Sequence, residues 1–188
     1  MKSAIILHGM PSKDEYFDPK SPAQSNKHWL PWIQRHLILR GILAQTPEMP
    51  DAYAPNYEKW RTLFEQFAID EETMLIGHSC GAGFLVRWLS ENKTKVGKVA
   101  LVAPWLNLDH EYDIDFFDFE IDESLAERTD GVTIFVSSDD YQTIIDSVAK
   151  IRSTVKSAGV KKFTDQGHFT FNDMKTVEFP ELLDTLIR

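Results

Sequence analysis

Residues 75–84 read LIGHSCGAGF. An apolar run ends at Ile76, and a Gly-x-Ser-x-Gly pattern follows at Gly77, Ser79 and Gly81. Downstream, Phe84, Leu85, Trp88 and Leu89 recur at helical spacing. The pattern therefore lies between a predicted strand, 73–76, and a predicted helix, 79–90. A serine at such a junction turns sharply, and small neighbours let chain segments approach it closely. Because the helix starts at the serine, unpaired N–H groups and the positive end of the dipole face it. A developing oxyanion there meets ready-made donors. The bland alternative is a glycine-rich turn that binds an anion or does nothing. It loses ground because strand and helix both fall where the pattern requires them.

Working outward, apolar runs alternate with helical patterns along the chain. Strands are predicted at 4–7, 42–46, 73–76, 98–103, 132–136 and 160–164. Helices are predicted at 29–40, 57–67, 79–90, 144–158 and 177–187, with Asn56 placed to cap the second. Repeated strand–helix units imply a mostly parallel sheet of about six strands with helices on both faces. The fold class expected is α/β, in one domain spanning residues 1–188. Two stretches escape the pattern. Residues 11–27 are polar with three prolines and read as a long loop. Residues 109–122, DHEYDIDFFDFEID, are acidic and aromatic. They read first as a solvated loop with a few anchoring rings, and second as a lid over a pocket.

A serine hydroxyl is a weak nucleophile until a base takes its proton. Of the six histidines, His168 follows the last predicted strand and comes late in the chain, so it is the expected base. His78 lies inside the turn, with its side chain expected to point away from the reacting position. His28, His36 and His110 read as surface or half-buried residues. The carboxylate that orients the base is expected after the strand at 132–136, where Asp139 and Asp140 stand together. Spacing does not choose between them. The order Ser, Asp, His is that of the α/β-hydrolase fold. All three positions fall at carboxyl ends of parallel strands, where such sheets put their sites. The second oxyanion donor is expected from the loop after the first strand, with the N–H of Met10 joining that of Cys80. His8 is assigned to loop geometry beside the pocket, and Trp105, just after the fourth strand, is a candidate pocket wall. Trp29, Trp32 and Trp60 read as packing residues.

Composition narrows the alternatives. The 188-residue chain carries a net charge of −9, which disfavours a nucleic-acid backbone or an anionic membrane as partner. Its one cysteine, Cys80, cannot form an intrachain disulfide or a Cys-pair zinc site. The acidic segment lacks the tight-turn glycine of a calcium loop. His8-Gly9-Met10-Pro11 lacks the glycine pattern of a dinucleotide site. No cofactor or metal is expected. The first apolar run breaks at His8-Gly9, too early for a signal peptide, and no run approaches the roughly 20 residues that span a bilayer. A cytoplasmic location is the expectation.

The residues also resemble a known family, the small serine hydrolases typified by retinoblastoma-binding protein 9. The likeness covers nearly the whole chain. It rests on Ile6-Leu7-His8-Gly9, His28-Trp29-Leu30-Pro31-Trp32, Met49-Pro50-Asp51 with Trp60, Gly77-His78-Ser79-Cys80-Gly81, and Ser138-Asp139-Asp140 with Gly167-His168-Phe169. The resemblance implies a compact α/β-hydrolase without a large cap domain, and it selects Asp140 as the acid. The family's pocket-protein motif, Leu-x-Cys-x-Glu, is absent, since His78 stands two residues before the only cysteine; binding of pocket proteins is not expected. The function expected is metal-independent cleavage of a small, uncharged or apolar ester, thioester or amide through an acyl-enzyme on Ser79. The alternatives are transfer of the acyl group to another acceptor, and a non-catalytic module that docks a partner on a hydrolase scaffold.

Overall fold

The computed structural model describes residues 2–112 and 114–188; Asp113, within the acidic segment, and Met1 lie outside the described residues. Six strands form one sheet: β1 (Ser3–Leu7), β2 (Leu43–Gln45), β3 (Thr73–His78), β4 (Val99–Val102), β5 (Val132–Ser137) and β6 (Gly159–Phe163). Their order is β2-β1-β3-β4-β5-β6, and each neighbouring pair is parallel. β3 and β4 are buried along their whole length, as continuous apolar runs in a covered parallel sheet should be.

The helices are α1 (Lys13–Phe17), α2 (Leu30–Ile38), α3 (Tyr57–Phe64), α4 (Cys80–Glu91), α5 (Gln142–Thr154), α6 (Phe171–Met174) and α7 (Pro180–Ile187). α2 packs on α7. α3 packs on α4 through Phe64, whose ring lies 5.3 Å from Phe84 and 5.1 Å from Trp88. Right-handed connections put these two pairs on opposite faces, because the chain steps one way from β1 to β2 and the other way from β2 onward. That reversal opens a crevice between β1 and β3, the place where parallel sheets put their sites.

Several elements differ from expectation. The stretch 11–27 holds α1 and a 3₁₀ turn, Gln24–Asn26, and is not a plain loop. Ser12 caps α1 by accepting from the Glu15 N–H at 3.2 Å. The last helix starts at Pro180, where proline suits a first turn, and the chain before it forms the separate α6, closed by a Thr170–Asp173 capping box. α5 begins two residues earlier than expected and stops at Thr154. The Asn56 cap is present, accepting from the Lys59 N–H at 3.0 Å. Trp29 and Trp60 are fully buried, in keeping with their reading as packing residues.

Candidate active site

β3 ends at His78 and α4 begins at Cys80, so Ser79 alone makes the turn. Its backbone sits at φ 53°, ψ −118°, a conformation that non-glycine residues avoid and that stores strain. Three backbone bonds hold it there. The Ser79 N–H donates to Val102 at 2.9 Å, and its carbonyl accepts from Gly83 at 3.0 Å and Trp105 at 3.2 Å. A serine before a helix usually caps it, yet the Ser79 hydroxyl makes no capping bond. The flanking glycines follow from contact. A Cβ on Gly77 would stand 2.6 Å from Ala82 backbone, and one on Gly81 would meet the His8 carbonyl oxygen and stand 2.8 Å from that of Leu7. The pattern thus lets α4 close onto the ends of β3 and β1.

The hydroxyl turns to His168. Ser79 Oγ lies 2.9 Å from His168 Nε2, while His168 Nδ1 lies 3.0 and 3.2 Å from the two Asp140 oxygens. A carboxylate only accepts, so Nδ1 carries the proton and Nε2 is left to accept from the serine. The Asp140 side chain is fully buried. Asp139, its neighbour, makes no bond to the imidazole. Instead its carboxylate accepts from Ser137 Oγ and from the Gly167 N–H, the latter at 3.0 Å. It ties the end of β5 to the loop that carries His168.

His78 departs from expectation. Its ring does not merely point away from the serine. Fully buried, it donates from Nε2 to the His168 carbonyl at 2.8 Å, with the two rings 5.1 Å apart. Burial and the neighbouring His168 push its pKa well below the ordinary imidazole value. His28 accepts from the Phe171 N–H through Nδ1 at 3.0 Å. Burial and the Lys27 charge lower its pKa to about 4. Two neutral imidazoles thus brace the turn that carries a third.

His8 is spent on the opposite loop. Its Nε2 accepts from the Met49 N–H at 2.9 Å, so Nδ1 carries the proton and donates to Gly9 at 2.8 Å. Burial lowers its pKa. The sequence pairs it with no acid, but Glu48 Oε2 lies 3.9 Å from Nε2. The Met-Pro…Trp piece acquires a physical meaning here: Met49 holds His8, and the Pro50 carbonyl accepts from Trp60 Nε1 at 2.9 Å. Cys80 is the first residue of α4, so its N–H has no carbonyl one turn earlier to bond. Burial pushes its thiol pKa far up, which leaves the thiol inert. Among the described residues no three His, Cys, Asp or Glu side chains converge as metal ligands, and no helix is long and apolar enough to cross a membrane.

A serine hydrolase family model matches residues 21–186. The chain belongs to that family. The serine hydrolase is 27% identical over 196 residues to the hydrolase YdeN of Bacillus subtilis (strain 168), covering 98% of this chain and 94% of YdeN. The YdeN crystal structure superposes with a TM-score of 0.81 at 22% identity, over 99% of this chain and 97% of YdeN. A YdeN-like hydrolase from Pectobacterium atrosepticum gives 0.59 at 17% identity, over 97% and 92%. XC6422 from Xanthomonas campestris, an α/β serine hydrolase without a lid, gives 0.58 at 14% identity, over 98% and 78%. The fold is therefore that of an α/β-hydrolase, and the protein is a hydrolase.

Two cavities open on this hydrolase's Ser79. One, of about 250 Å³, is lined by His8, Glu15, Gln24, His28 and Asn172 among others. The other, of about 370 Å³, is lined by Trp105, Tyr112, Tyr141 and Ile144, with Glu111 and Thr143. Trp105 thus lines a cavity beside Ser79, and His8 lines its neighbour. Sequence reasoning missed Tyr141, whose ring lies 5.7 Å from that of His168, and Glu15, which α1 brings in. The acidic segment combines its two readings. Phe116 is fully buried and Phe117 packs 5.1 Å from Trp105, while Glu111 and Tyr112 face the second cavity. Asn107 holds Tyr112 from both sides, donating to its carbonyl at 2.8 Å and accepting from its N–H at 3.2 Å.

Proposed function

We propose that this hydrolase cleaves a small, uncharged or apolar carboxylic ester, thioester or amide through an acyl-enzyme on Ser79. The observation that carries the reading is the hydrogen-bonded chain from Ser79 Oγ through His168 to buried Asp140. His168 takes the serine proton as Oγ attacks the carbonyl carbon, and Asp140 stabilises the imidazolium that forms. The N–H groups of Cys80 and Met10 hold the oxyanion. The bond to the leaving group breaks and His168 returns the proton to it. Water then attacks the acyl carbon, gives a proton to His168, and the carbon–Oγ bond breaks as that proton returns to Ser79. The resemblance to the retinoblastoma-binding protein 9 family, which implies no large cap domain, and the likeness to lidless XC6422 agree with an open site. We place the enzyme in the cytoplasm, with no nucleic-acid or membrane partner.

The test is covalent. Wild-type protein incubated with a fluorophosphonate probe is expected to be labelled on Ser79, and Ser79→Ala to be silent, with ester turnover falling at least about 10⁴-fold. A folded wild type that takes no label and turns over no ester overturns the reading.

A further inference from the structure

The two cavities share Met10, Ser79 and His168 and otherwise have different walls. A scissile bond presented to Ser79 is therefore straddled, with one substituent in each. The smaller cavity is hydrogen-bonding. Gln24 and Asn172 present amides, and His28, whose Nδ1 already accepts from Phe171, keeps its Nε2–H. Its one carboxylate, Glu15, is neutralised by Lys27, which is itself buried. The larger cavity is walled by rings, Trp105 and Tyr112 standing edge to face at 5.4 Å, and Glu111 at its lining repels an anion.

The chemistry of the second half-reaction orients the substrate. Once the leaving group departs, a water must occupy its place, within reach of His168. A water is held only where it finds two to four polar partners; the small cavity, with Gln24, His28, Thr170 and Asn172, supplies more of them than the larger one, where Glu111 and Thr143 stand among rings. The leaving group therefore occupies the polar cavity. We propose that the substrate is an ester of an apolar, ring-bearing acid with an uncharged polyhydroxy alcohol, the acyl group between Trp105, Tyr112, Tyr141 and Ile144 and the alcohol against Gln24, His28 and Asn172. This rests on the acyl-enzyme reading above. The steps are those already balanced there: the alcohol leaves with the proton from His168, and water replaces it.

Two isomeric esters test the orientation. Glyceryl phenylpropanoate has the ring on the acyl side and the polyol on the alcohol side; phenylpropyl glycerate reverses them with the same atoms. Initial rates with each are expected to give the first a kcat/KM at least about 10-fold higher. Tyr141→Ala, at a position 69% exposed, should raise KM for the first ester, Asn172→Ala should do likewise, and each should narrow the ratio about 3-fold or more. Equal rates, a preference for the glycerate, or a ratio that neither substitution moves overturns the assignment. Fluorophosphonate labelling of Ser79 separates the failures. Labelled protein that does not discriminate loses only the orientation, whereas unlabelled protein loses the acyl-enzyme itself.

Discussion

The floor of this site and its walls are held by different forces. On the floor, most of the holding is done by backbone: Ser79 is tied to β4 and α4, Gly81 lies against the end of β1, and the Asp139 carboxylate joins the end of β5 to the backbone of the His168 loop. On the walls, side chains do the holding. Arg87 stacks 3.7 Å over Tyr57 and donates to the Asp115 and Phe116 carbonyls, and Arg128 reaches Asp122 at 2.9 Å and the Leu89 carbonyl at 2.7 Å. Backbone geometry is set by steric limits and does not bend cheaply. The rings these walls present, Tyr141 and Tyr112, remain exposed. The contrast teaches that the proposed chemistry stands on backbone-fixed geometry, while the proposed selectivity stands on loop side chains, which tolerate substitution more readily.

The largest expected effect separates two adjacent carboxylates on the floor. Asp140→Asn keeps the shape but presents an amide to His168 Nδ1, so the imidazole loses the partner that fixes its tautomer. A fall in kcat of about 10³–10⁴ is expected, with the melting temperature little changed. Asp139→Ala should do the reverse. It lowers the melting temperature by loosening the loop, yet costs less than about 10-fold in kcat. Steady-state kinetics and thermal melts of both variants check the pair, and equal losses of activity would mean that the two acids are not divided between chemistry and loop support.

A second prediction compares floor and sheet edge with one chemical change. Gly81→Ala pushes a methyl group onto the His8 and Leu7 carbonyls, and overpacking of this kind costs about 1–3 kcal/mol, or roughly 3–10 °C in melting temperature. Gly159→Ala, where the nearest atom lies 3.7 Å away, should stay within about 0.5 kcal/mol. Differential scanning calorimetry distinguishes them, and a Gly159 loss as large as the Gly81 loss breaks the distinction drawn from contact.

The same division explains what could be read from sequence. Every strand of the sheet was legible, the central ones because a buried parallel strand is a short apolar run, and so was the elbow, because glycine, serine and helix start fall in ten consecutive residues. Ser79, His168 and an acid at 139–140 could be ordered by the topology. Choosing Asp140 could not, since both acids sit on one turn and only tertiary geometry says which faces the imidazole. The contact from His78 to His168 joins residues 90 positions apart, and no local pattern encodes it. α1 did leave a signal, the Ser12…Glu15 spacing of a capping box, but five residues are too few for a hydrophobic period. Pro180 likewise marked the true start of the last helix. The walls were least legible because their anchors, Arg87 and Arg128, come from distant elements.

The smallest effect expected is one of pH, and it belongs to the floor. His8, His28 and His78 are neutral in the fold, each with a pKa lowered chiefly by burial. In the unfolded chain they protonate near the ordinary value, about 6.5. Above that value neither state binds the proton and stability is unaffected. As pH falls from about 6.5 toward the folded value, about 4 for His28, the unfolded state takes protons that the fold refuses, and stability is lost. The carboxylates held low by their partners, Asp122 and Asp139, enter only below the ordinary carboxylate range, about pH 4, so a window from pH 6.5 to 5 isolates the histidines. His28 alone should contribute about 1–2 kcal/mol across it. His28→Asn removes the titration while keeping an acceptor for the Phe171 N–H, and asparagine tolerates the positive φ of 56° at this position. Chemical denaturation of this variant at each pH should show a shallower loss than wild type. A His28→Asn slope equal to wild type would mean that the floor admits protons as readily as the rim, and that its imidazoles are not held neutral by burial.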